Sequence, residues 1–147
     1  MHIGSQHGQT SVDSFAGLGV DIKIDPTFGY SGTGAQEGTC ANYMNAYEPA
    51  TAPASDGTAD NITVYLSGWG AGEEVKCALY DNTDDSKIAE TAERTTGGDS
   101  GWFVFVFSEP KPSITNGGDY LLVCFGDDTV NNNFDTTGSG TVYREAA

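Results

Sequence analysis

The sequence predicts an all-β protein, an antiparallel β-sandwich of jelly-roll type with a flexible N-terminal arm, on three observations. Four runs, 61–67, 74–81, 101–108 and 119–126, are rich in β-branched and aromatic residues. Gly, Asp, Asn and Pro separate the strand-like runs, at a spacing of about ten residues that suits a sandwich. Several other segments alternate apolar and polar side chains with the period of two that a half-buried strand requires.

Residues 1–18 are rich in Gly, Ser, Gln and Thr without periodicity and read as the flexible arm; 19–147 read as one sandwich domain. Val20, Ile22 and Ile24 alternate with Asp21, Lys23 and Asp25, a strand that ends at Pro26. Residues 27–38 are Gly-rich and read as a long loop with a short strand at 28–30. A further strand is expected within 39–47. Pro49, Pro53 and the Asp56-Gly57 pair make 48–60 a connection. The four core runs follow. Between the second and third, 84–94 has two readings. Ile88, Ala89 and Ala92 could line a short helix capped by Asp85 or Ser86, but the position between strands favours a strand. Residues 131–135 and 141–144 supply short closing strands.

The chain has 147 residues, with 21 Asp and Glu against 6 Lys and Arg, a formal charge of −15. The cations (Lys23, Lys76, Lys87, Arg94, Lys111 and Arg144) are scattered singly, so no basic stripe exists to neutralise phosphates. Nucleic acid is therefore not expected as a partner. Membrane insertion is not expected either, since no apolar run is long enough to span a bilayer. The N-terminus lacks the charged and apolar regions of a signal peptide. Cys40, Cys77 and Cys124 make an odd count with no CxxC pair, which argues against a disulfide framework or a zinc site. Cys77 and Cys124 sit in apolar runs, where buried thiols are expected and a Cys77–Cys124 bridge is the alternative.

Read together, several pieces resemble a jelly-roll module that recurs in uncharacterised phage virion proteins and in bacterial and archaeal surface proteins. They are residues 57–66, 75–81 and 88–91, Gly101-Trp102 with 105–110, and 117–123, with Thr27-Phe-Gly-Tyr30 at the entry. The resemblance spans roughly 27–144, and its motifs are turn glycines, inward aromatics and a Tyr that starts a core strand. It implies a non-catalytic role in attachment, display or glycan binding, and it brings no set of functional residues. Trp69 departs from the pattern, as do Val104 and Val106, where such modules more often carry Thr.

No catalytic constellation stands out. Gly98-Asp-Ser-Gly101 lacks the second glycine and the base of a serine protease, the only histidines being His2 and His7 in the arm. Gly32-Thr-Gly-Ala-Gln-Glu-Gly38 lacks the Lys-Ser/Thr of a phosphate loop. Asp81, Asp84 and Asp85 in one loop, and Asp127, Asp128 and Asp135 in another, form oxygen-rich sets that suit calcium, the one cofactor suggested; ordinary turn chemistry is the competing reading. Trp69, flanked by glycines, could stack on a sugar with Tyr65 and Tyr80, unless it folds back over a strand end.

The run from Trp102 onward is apolar on both faces. Phe103, Phe105 and Phe107 share one side; Trp102, Val104 and Val106 share the other and are the interface candidates, with cover by the chain itself as the alternative. The expected function is a non-enzymatic structural or interaction protein of a virion or cell-surface assembly, such as a capsid-decoration, tail-associated or filament subunit. Self-association or binding to other structural proteins follows from that reading. The alternative is a carbohydrate-binding module whose partner is a glycan.

Overall fold

The computed structural model describes residues 1–6, 28–29, 32–33, 36–39, 43–46, 50–52, 55–95, 100–127, 130–134 and 143–146. Its described residues form strands and turns and no helix. In chain order the strands are β1 (His2–Gln6), β2 (Phe28–Gly29), β3 (Gln36–Thr39), β4 (Tyr43–Ala46), β5 (Ala50–Thr51), β6 (Gly57–Ser67) and β7 (Val75–Asp81). After these come β8 (Lys87–Glu90), β9 (Ser100–Val106), β10 (Ser113–Ile114), β11 (Asp119–Gly126), β12 (Asn131–Phe134) and β13 (Tyr143–Ala146).

Strand β6 is the spine of the first sheet. Along one edge it pairs with β1, Ile3 opposite Ile62, and then with β12, Asn132 opposite Leu66. Along the other it pairs with β10, Ile114 opposite Gly57, and then with β9, Phe105 opposite Ile62. The second sheet runs β5-β11-β7-β8, and the β13–β4 pair brings β4 beside β11. Every described pairing is antiparallel. These strands establish an antiparallel all-β sandwich; they do not by themselves trace a jelly roll.

The core follows from the alternation. Ile62, Val64 and Leu66 of β6 and Phe105 of β9 join Val75, Cys77 and Leu79 of β7 and Tyr120, Leu122 and Cys124 of β11 in one buried cluster. Fully burying an aliphatic or Phe side chain contributes about 1.5–3 kcal/mol, so this shared layer holds the sheets together. Thr91 fastens its margin. The Thr91 amide donates to the Cys77 carbonyl, and its backbone bridges Phe107 just beyond β9.

The expected strand boundaries shift in places. Residues 1–18 are not an arm throughout, because His2–Gln6 is β1, paired with both β2 and β6. The reason is one residue: Ile3 is fully buried beside Ile62, and the edge of β6 gains backbone partners. Residues 7–18 and the expected strand at 20–24 lie outside the described residues. The ambiguous 84–94 segment forms strand β8, and β6 starts at Gly57, inside the expected connection.

Candidate functional site

Strand β9 has two unlike faces. Phe105 and Phe107 point inward and are fully buried, with Phe103 packed against the same core. Trp102, Val104 and Val106 point outward and remain 38%, 45% and 53% exposed. Register sets their neighbours: Trp102 lies opposite Tyr65, Val104 opposite Thr63 and Val106 opposite Asn61, and His2 flanks Thr63 from β1. The Trp102 ring meets Tyr65 edge-on at 5.6 Å and 81°, and His2 at 5.3 Å and 63°. None of these seven side chains is acidic, in a chain with 21 carboxylates.

Two further features belong to this face. Among the described residues β9 pairs with a strand only on its β6 side. On the other edge the Val104 carbonyl accepts a hydrogen bond from Arg94 Nη1, and the Val106 carbonyl accepts one from the Ala92 amide. The second feature is His2, whose Nδ1 is buried without a hydrogen-bond partner. Burial, aided by the charge of the Met1 amine, holds its pKa below the usual histidine value, so the ring beside Trp102 is neutral at neutral pH.

The three aromatics proposed for sugar binding do not converge. Trp69 is only 3% exposed and points into the core, away from the loop tip. Gly68 and Gly72, at φ 66° and 92°, adopt left-handed conformations that let the 68–72 loop reverse and turn the indole inward. There its Nε1–H donates to the Glu73 carbonyl at 2.8 Å, and its ring meets Phe103 at 4.9 Å and Phe105 at 6.0 Å. The Arg94 guanidinium covers all three rings at 5.6–5.8 Å. Tyr65 is half-buried on the outer face of the first sheet. Tyr80 is half-buried on the outer face of the second, in a depression of about 210 Å³ that Lys76, Lys87, Glu90 and Phe125 also line.

The described acidic loop residues serve turns or tie one loop to another. Asp81 Oδ1 accepts from the Thr83 amide at 2.7 Å and Asp84 Oδ1 from the Ser86 amide at 3.0 Å, while Asp85 takes φ 58°. Asp127 Oδ1 accepts from the Glu74 amide at 2.7 Å. Asp128 and Asp135 lie outside the described residues. Among the described residues no group of three or more His, Cys, Asp and Glu side chains is arranged to hold a metal ion.

The fold does create one electrostatic contact that no local motif announces. Glu74 sits beside Glu93 and near Asp127, and the charge of Glu93 foremost raises the Glu74 pKa above 4.5. A carboxyl whose folded pKa is raised favours its protonated form, so its contribution to stability is lost as pH rises through that value. Glu74→Gln is therefore expected to raise the melting temperature at neutral pH and to leave it unchanged in acid below pH 4.5. Thermal melts at the two pH values check this; an equal shift at both would mean the repulsion is not the cause.

No family model matches the chain, and neither a curated protein nor a solved structure shows significant similarity to it.

Proposed function

We propose that this protein is a non-catalytic structural subunit of a virion or cell-surface assembly, and that it self-associates through the outer face of β9. The observation that carries the reading is the trio Trp102, Val104 and Val106, exposed together on a strand whose other face already serves the core. An antiparallel sheet facing water normally carries polar side chains there. A contiguous apolar patch on the open face of a sheet is a surface for another protein. The occupant that best suits it is a second copy. Two chains of −15 repel over most of their surfaces, and this patch carries no carboxylate, so it is where like-charged copies can approach at least cost.

Light scattering coupled to size exclusion tests the proposal. Association is expected to grow with protein concentration and with added salt, which screens the repulsion but not the apolar contact. Replacing Val104 and Val106 together by Asp is expected to leave a folded monomer, as judged by circular dichroism. A wild-type chain that stays strictly monomeric at high concentration in both low and high salt would sink the reading.

A carbohydrate-binding role is the second reading, and it now rests on the depression at Tyr80. That hollow pairs two aromatic rings, Tyr80 and Phe125, with the charged groups of Lys76, Lys87 and Glu90. A glycan array with the wild type and Tyr80→Ala decides it, since binding that ignores the substitution would rule that hollow out.

A further inference from the structure

We propose that Cys77 and Cys124 are a modification site, oxidised together to an intramolecular disulfide that staples β7 to β11. The two residues are direct partners across adjacent antiparallel strands. Both side chains point into the core, at 1% and 0% exposure, and both are thiols in this structure.

The hydrogen-bond pattern says which kind of partners they are. The Cys77 amide donates to Thr91 Oγ1 at 3.0 Å, and the Cys77 carbonyl accepts from the Thr91 amide at 2.8 Å. Both backbone groups of Cys77 thus point away from β11, so the Cys77–Cys124 pair is of the non-hydrogen-bonded kind. In that kind the Cα atoms come to about 4.5 Å, the closer of the two antiparallel spacings. A disulfide requires a Cα separation of about 4.4–6.8 Å. That general spacing lies at the short end of the range, and as direct partners the two residues share one face of the sheet.

The chemistry is thiol–disulfide exchange. One cysteine thiolate attacks an external disulfide RSSR, forming a mixed disulfide and releasing RS⁻. The second cysteine thiolate then attacks the protein sulfur of that mixed disulfide and releases the other RS⁻. The protein loses two protons and two electrons, and RSSR takes them up to become two RSH. Burial closes this route in the folded state, so the bridge forms while the chain folds or opens.

The test is refolding of the denatured, reduced chain in a buffer of reduced and oxidised glutathione, beside a control kept in dithiothreitol. Iodoacetamide then blocks remaining thiols, and trypsin digestion with mass spectrometry locates the links. Cleavage after Lys76, Lys87, Arg94 and Arg144 puts Cys77, Cys124 and Cys40 in three different peptides. The expected result is a chain lighter by two hydrogen atoms before alkylation, with peptide 77–87 joined to peptide 95–144 and the near-ultraviolet circular dichroism of the reduced fold. Reagent added to the already folded reduced protein should form this link much more slowly. The proposal is overturned if both thiols remain fully alkylated after oxidative refolding, or if either links only to Cys40 or to another chain. It is equally overturned if the 77–124 link occurs only in molecules that have lost the native spectrum. A Cys40→Ser chain gives the same reading without the third thiol.

Discussion

Trp69→Ala is expected to destabilise the domain by about 3–5 kcal/mol, the range for removing a large aromatic side chain from a packed core. The indole is almost fully buried, and its loss would leave a void facing Phe103 and Phe105. It would also strip the Glu73 carbonyl of its donor and leave Arg94 over two rings instead of three. Because the indole bridges the turn after β6 to the inner face of β9, the damage should reach the β6–β9 pairing. Trp69→Phe keeps part of the ring contact and should cost less. Urea denaturation of the three proteins measures the effect. A loss below about 1 kcal/mol, the scale of an ordinary surface change, would mean the indole does not sit in the core.

Thr91→Val should follow as the next largest effect, at about 1–3 kcal/mol for a buried donor left without a partner. Val matches Thr in shape, so the packing at this 5% exposed position is retained and the hydroxyl alone is removed. That hydroxyl accepts from the Cys77 amide and donates to the Ala92 carbonyl at 3.1 Å. Thr91→Ser keeps the oxygen and should recover much of the loss. Hydrogen exchange at the Cys77 amide supplies a local readout: protection should fall in the Val variant and persist in the Ser variant. Equal stability of Thr91→Val and wild type would contradict the assigned role of the hydroxyl.

Much of the fold is legible in the sequence because strand periodicity is a local property. The four core runs correspond to β6, β7, β9 and β11, and their ends agree to within a few residues. Alternation along β9 is enough to separate Phe103, Phe105 and Phe107 from Trp102, Val104 and Val106. The 84–94 segment illustrates a weaker signal. Its apolar spacing suits a helix slightly better, and pairing with β7 makes it a strand, as tertiary context commonly does.

Other features are illegible for equally physical reasons. The β1 segment holds one buried aliphatic among small and polar residues, so its composition resembles a loop, and only the open edge of β6 recruits it. Strand β10 has two residues, too few for any period. Trp69 between glycines fits a displayed loop tip and a folded-back anchor equally well, because glycine permits both paths. The contact of Glu74 with Glu93 and Asp127 joins three separate segments, and no spacing along the chain encodes it.

The sequence by itself determined an acidic all-β chain without a recognisable catalytic motif, and a strand with two apolar faces. Those properties depend on composition and on the two-residue repeat of a pleated backbone, both of which are readable one segment at a time. Only the tertiary structure decided which neighbours flank the exposed face of β9. It alone turned Trp69 inward and set Cys77 against Cys124. Those outcomes depend on which strands meet and in what register. That choice is made by the burial of the whole apolar surface at once, since shifting a strand by one residue exchanges its two faces.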